Sequence, residues 1–119
     1  MELTQEQCIA IIETVHELAK EYPDAVYNQY PCRYNSGHVE GCPNQGCIFG
    51  QALRLNDIDT TELDSGIVKT IDDIIHDDVD TSLLLYMCEI QQRQDIKRSW
   101  GESINLTRWQ HIKLALRIT

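Results

Sequence analysis

The stretch Asp80-Thr81-Ser82-Leu83-Leu84-Leu85-Tyr86-Met87-Cys88-Glu89-Ile90-Gln91-Gln92-Arg93-Gln94-Asp95 holds the densest apolar run in the chain. Asp80 stands where an N-cap belongs. Behind it Leu83, Leu84, Leu85, Tyr86, Met87, Cys88 and Ile90 point in almost every direction around a helix. A helix that is apolar all round is a central one, so the spacing predicts a buried axis over 83–90 with the other elements packed about it. The character changes after Ile90. Gln91 and Asp95 continue the stripe through Leu84, Met87 and Cys88, at steps of three or four residues. A polar group on a buried stripe costs about 1–3 kcal/mol if it finds no partner. Gln91, Asp95 and, just beyond them, Trp100 are therefore expected either to anchor neighbouring loops or to mark where the stripe surfaces.

Upstream, Thr4 and Gln7 form a capping-box pair. Cys8, Ile11, Ile12, Val15, Leu18, Ala19 and Tyr22 then recur at helical spacing until Pro23. His16 lies on the flank of this helix and is expected at its edge. Ala25-Val26-Tyr27 and Cys32-Arg33-Tyr34 are short β-prone pieces, with a turn signal at Asn35-Ser36-Gly37. From Gly46 the pattern C-I-F-G-Q-A-L-R-L turns helical, with Cys47 or Ile48, Phe49, Ala52, Leu53 and Leu55 inward, and Gly46 and Gly50 are spaced for close helix packing. Ile67, Val68, Ile71, Ile74 and Ile75 predict another helix after Gly66, ending near Asp80. Ser99 and Glu102 make a second capping box for a last helix starting at Trp100, with Ile104, Trp109, Ile112, Ala115 and Leu116 on its core face. The expected fold is mainly α: a single-domain bundle of four or five helices, with a Cys/Gly-rich loop or short β-hairpin between the first two.

At 119 residues the chain can bury a core without disulfides. Its N-terminus has neither a basic region nor an apolar segment of signal-peptide type, and no apolar run is long enough to span a bilayer. A cytoplasmic protein in a bacterial host cell is expected, with its five cysteines reduced or bound to metal. A net charge of −9 argues against nucleic-acid or anionic-membrane surfaces. The charge is also unevenly spread: residues up to Asp80 carry sixteen acids and four bases, and the rest carry three acids and six bases.

Two blocks of this sequence resemble a loose group of small proteins from actinobacteria and their phages. The first is C-R-Y-N-S-G-H-V-E-G-C-P-N-Q-G-C-I-F-G-Q-A-L (32–53), and the second is Q-x-x-Q-D followed by W-G-E-S (91–103). The matching positions are Cys32, Tyr34, Cys47, Gly50, Leu53, Gln94, Asp95, Trp100 and Gly101. Two departures stand out: the insertion Val39–Gly46, which brings Cys42, and Leu55-Asn56 where the group has Leu-Gly. The resemblance implies phage or mobile-element ancestry and assigns no catalytic residues.

Three constellations could carry chemistry. Cys32, His38, Cys42 and Cys47 are spaced C-x5-H-x3-C-x4-C, a ligand set that suits tetrahedral zinc although it lacks a C-x2-C knuckle. The alternative is that the cysteines pack as small apolar residues and His38 lies at the surface. Cys47 at a helix start could also be an activated thiolate, since free N–H groups stabilise the anion. The run Asp72-Asp73-Ile74-Ile75-His76-Asp77-Asp78-Val79-Asp80 is strongly acidic but lacks the glycine and terminal glutamate of an EF-hand. The functional expectation is a small, non-enzymatic protein-binding module of phage type, without cofactor. Asp72, Asp73, Asp77 and Asp78 would be its surface for a basic protein partner, and inhibition of a host defence or nucleic-acid-processing factor is a natural extension. A zinc-stabilised module, or a thiol enzyme using Cys47, is the alternative.

Overall fold

The computed structural model describes residues 1–29, 32–67 and 69–118. Among these the chain forms five helices and one two-stranded antiparallel hairpin, in the order α1 (Gln5–Glu21), β1 (Val26–Tyr27), β2 (Val39–Glu40), α2 (Ile48–Leu55), α3 (Thr81–Asp95), α4 (Trp100–Ser103) and α5 (Leu106–Leu116). A 3-10 turn at Ile71–Ile74 lies between α2 and α3. The fold is thus mainly α, with the hairpin between the first two helices. No helix among the described residues is long and apolar enough to cross a membrane.

The Thr4–Gln7 capping box forms as the sequence implies. Thr4 accepts the Gln7 N–H while the Gln7 side chain takes the Thr4 N–H. Ser99, in contrast, caps α4 by accepting the Glu102 N–H while its hydroxyl, not its backbone N–H, donates to the Glu102 carboxylate. Asp80 accepts the Ser82 N–H to start α3. The α1 stripe of Cys8, Ile11, Ile12, Val15, Leu18 and Ala19 is buried, and so is His16, which the flank position did not suggest. On α3 the buried residues are Leu83, Tyr86, Met87, Ile90, Gln91 and Gln94. This stripe runs beside the expected one, so Leu84 and Cys88 are only half-buried and Leu85 is exposed. The axis is covered along one broad face and open along another.

Three expectations are corrected. The apolar spacing over 67–80 does not make an α-helix. The chain forms the 3-10 turn, is extended at Ile75, which is bridged in parallel to Leu3, and turns again at residues 77–78. The Leu3 N–H bonds Ile74 O at 2.7 Å and the His76 N–H bonds Leu3 O at 2.9 Å. Ile71 and Ile74, three apart, suit a 3-10 turn as well as a helix, and the acids at 72, 73, 77 and 78 would repel one another along an α-helix. Ile67 is exposed, and Val68 falls outside the described residues. The last helix is in fact two. The break comes at Ile104, and Asn105 caps α5 by accepting the Arg108 N–H. Finally, the β-prone piece at residues 32–34 forms no strand: β1 pairs with Val39–Glu40, with Val26 opposite Glu40 and Tyr27 opposite Val39.

Residues 32–34 instead form a strap laid across the start of α2. Gly50 permits this approach: a Cβ there would lie 1.9 Å from the Tyr34 carbonyl oxygen. Gly46, at φ +95°, turns the chain into α2, and a Cβ on it would stand 2.5 Å from the same oxygen. The two small residues do serve close packing, but against a loop backbone and not against a second helix. Leu55, expected inside, is exposed at the end of α2.

Candidate functional site

The strap is held by polar side chains from two directions. From α3, the Gln94 Oε1 accepts the Ile48 N–H at 2.6 Å and the Gln91 Oε1 accepts the Ile71 N–H at 2.7 Å. The Gln91 amide donates to the Tyr34 hydroxyl at 3.3 Å, and that hydroxyl donates to Lys69 O at 2.9 Å. Both glutamines are buried. They replace water for backbone groups that α2 and the 3-10 turn leave open at their N-termini. From the 60–64 segment, the Asp64 carboxylate accepts the N–H groups of Tyr34 and Asn35 at 2.7 and 2.8 Å. Asn35 in turn donates to Thr60 O at 2.6 Å. Arg54, on α2, donates to Tyr34 O and, at 2.7 Å, to Gln45 O.

Of the expected anchors, Gln91 bonds the Ile71 N–H and the Tyr34 hydroxyl, whereas Asp95 lies at the edge of the stripe. Its carboxyl accepts from the Gln94 amide at 3.1 Å. Burial pushes it up to about 6, against the opposing pull of that hydrogen bond. Trp100 is buried, and its backbone N–H donates to Ala25 O at 2.8 Å while the neighbouring Gly101 N–H donates to Pro23 O at 2.9 Å. The anchor is the Trp100 backbone; its indole N–H has no partner among the described residues. Gln94, Asp64 and Arg54 were missed as anchors. The repeated Gln-x-x-Gln spacing on the α3 stripe is the one signal that could have pointed to Gln94.

The thiol constellation is rearranged. Cys32 and Cys47 form a disulfide pair with a Cα–Cα distance of 6.0 Å, in place of the reduced thiols expected. This ties the strap to the N-cap of α2. The Cys42 thiol points instead to the Gln51 Oε1 at 3.8 Å, and His38 is exposed. Among the described residues no three of His, Cys, Asp and Glu come together as a set that could hold a metal. Cys47 is fully buried with its sulfur on Cys32, so in this state it presents no free thiolate. Cys8 and Cys88 are the other free cysteines, and burial raises both thiols, Cys8 to about 11.

A second buried polar group sits nearer the start of α3. His16 Nε2 meets the Tyr86 hydroxyl at 2.6 Å, and that hydroxyl accepts the Asn105 N–H at 3.0 Å. The Trp109 ring stacks on Tyr86, and the Arg108 guanidinium lies 5.6 Å over the Tyr86 ring while pairing with Glu89. Burial lowers the His16 pKa, so the ring is neutral near pH 7. This network joins α1, α3 and α5 and explains why the last helix breaks where it does: Asn105 must turn its backbone toward Tyr86.

The acidic segment is displayed outward. Asp72, Asp73, Asp77 and Asp78 are all exposed, while Ile71, Ile74, Ile75 and Val79 between them are buried. Asp73 also accepts the Thr70 N–H at 2.9 Å, so it caps the 3-10 turn. His76 lies 3.6 Å from Asp78 and 3.7 Å from Glu2. No Lys or Arg pairs with these four aspartates among the described residues. A polar cleft of about 400 Å³, lined by Asn35, Asn44, Gln45, Gln51, Arg54 and Leu55, opens beside the strap. No family model, no curated protein and no solved structure matches the chain.

Proposed function

We propose that the protein is a small, non-enzymatic protein-binding module whose acidic 72–78 edge receives a basic protein partner. One observation carries the reading. Four aspartates face solvent without a Lys or Arg counter-ion among the described residues, on a backbone fixed by buried isoleucines and the Leu3 bridge. Such an edge keeps its charge pattern without a partner and so has little ordering to undergo when one arrives. Complementary charge also raises association rates and makes them sensitive to salt. The basic residues lie mostly after Asp80 in sequence, so the acidic segment is not neutralised by its chain neighbours. The resemblance to small phage-type proteins suggests the setting: an accessory protein that occupies a basic surface on a host defence or nucleic-acid-processing factor.

Asp77→Lys/Asp78→Lys tests this without disturbing the Thr70 cap. Partner capture from host extract should fall at least about tenfold, and wild-type capture should weaken between low and physiological salt. Capture of the same protein by the charge-reversed variant at undiminished yield rejects the acidic edge as the docking surface.

A further inference from the structure

The cleft beside the strap has a chemistry unlike the rest of the molecule. In a chain of net charge −9 the described residues that line it include no carboxylate, and Arg54 is the one charged side chain among them. Its volume of about 400 Å³ falls in the range of small-molecule sites.

The walls are fixed before any ligand arrives. Gln51 is 3% exposed, and its amide donates to Gly46 O at 3.0 Å and to Asn44 O at 3.4 Å, which holds the 44–46 turn against α2. Asn35 is pinned to Thr60, and Arg54 spans from Tyr34 O to Gln45 O across the mouth of the turn. A guanidinium has five N–H donors in a planar fork, and described residues engage two of Arg54's. Asp64 acts on Arg54 only through space: its carboxylate accepts the Tyr34 and Asn35 backbone N–H groups and the Asn35 amide at 3.2 Å, and it forms no ion pair with Arg54 among the described residues. Leu55, 64% exposed, adds an apolar rim.

We propose that this cleft binds a small carboxylate, either a free acid or the end of a peptide chain, with Arg54 taking the carboxylate, the Asn44 and Gln45 side-chain amides taking adjacent polar groups and Leu55 covering the alkyl part. A planar two-oxygen anion matches the fork, and side-chain amides offer both donors and acceptors to the polar groups bonded next to it. The site is separate from the acidic edge and stands or falls independently of it.

The test is a titration of the full chain, labelled with 15N, with N-acetyl-alanyl-alanine, with its C-terminal amide and with acetate. Saturable shifts are expected in the side-chain NH2 signals of Asn35, Asn44, Gln45 and Gln51 and in the Arg54 Nε–H, from the free-acid dipeptide and not from its amide. Acetate binding as tightly as the dipeptide identifies a free-acid site; a tighter dipeptide identifies a peptide-end site. Arg54→Gln should abolish the shifts. Because Arg54 also holds the strap, Leu55→Glu is the second variant: it leaves those hydrogen bonds alone and should weaken binding about tenfold by like-charge repulsion at the rim. Absence of saturable shifts at these groups, equal shifts from the amide, or unchanged affinity in a folded Leu55→Glu protein overturns the proposal.

Discussion

The Tyr34 carbonyl and Gly50 are in backbone-to-backbone contact, which no rotamer change can relieve. Gly50→Ala would put a methyl 1.9 Å from that oxygen, and pushing the strap off α2 should cost about 3 kcal/mol. A lowered urea midpoint with an unchanged m value would register it. Gln94→Leu acts differently. It keeps the volume but strands the Ile48 N–H, whose bond to Gln94 is 2.6 Å long. The expected loss is about 2 kcal/mol, with faster amide exchange at Ile48 as the local signature. Gly50 and Gln91 were legible from spacing as a close approach and an anchor, but their partners were not. Sequence gives the period of a helix face; it does not say which distant carbonyl or N–H will be brought to that face. Arg54 and Asp64 show the same limit, since each binds backbone remote in sequence and neither belongs to a motif.

At the level of elements, α1 and α3 could be read because caps and long apolar stripes agreed there. The 67–80 segment misled because isoleucines three and four apart satisfy a helix, a 3-10 turn or a bridge equally. Only the repulsion among its aspartates argued against the helix. The α3 stripe was set about one residue off because apolar side chains on all sides leave its phase undetermined, so Asp95 was placed on the stripe and Gln94 beside it. Asp95 makes the shift measurable. Its carboxyl is raised from an ordinary 3.8 to about 6 by burial. The folded state therefore holds its proton more tightly than the unfolded chain between these values. That contribution is complete below pH 4 and is lost as pH rises through 6. Asp95→Asn should raise the thermal midpoint at pH 7 and leave it unchanged at pH 3.5. An equal gain at both pH values would show that the carboxylate is not penalised by burial. His16 has the opposite slope: with its pKa lowered by burial, its contribution is present above pH 6.5 and lost as pH falls below it. Comparing Asp95→Asn with wild type at each pH cancels the histidine.

For the molecule as a whole, the charge asymmetry and the mainly helical frame were readable from composition and spacing, whereas the cysteine pairing was not. Compartment reasoning pointed to reduced thiols, and no spacing rule distinguishes Cys32–Cys47 from the other pairs five cysteines allow. The pairing predicts three titratable thiols in denatured, unreduced protein, namely Cys8, Cys42 and Cys88, and five after reduction. With the two cysteines fifteen positions apart, reduction should lower the unfolding free energy by about 3 kcal/mol. Cys32→Ser should reproduce that loss, and five thiols before reduction would rule the bond out.

The turn of helix at Trp100 has one more consequence, for the order in which the molecule is made. Its first N–H groups close the carbonyls of Pro23 and Ala25, at the exit of α1. An emerging polypeptide therefore leaves that corner open to water until Trp100 has left the ribosome. Ribosome-bound intermediates with Trp100 still inside the exit tunnel should be cut readily by protease around Ala25, and ones extended by a C-terminal linker that carries the turn out of the tunnel should resist.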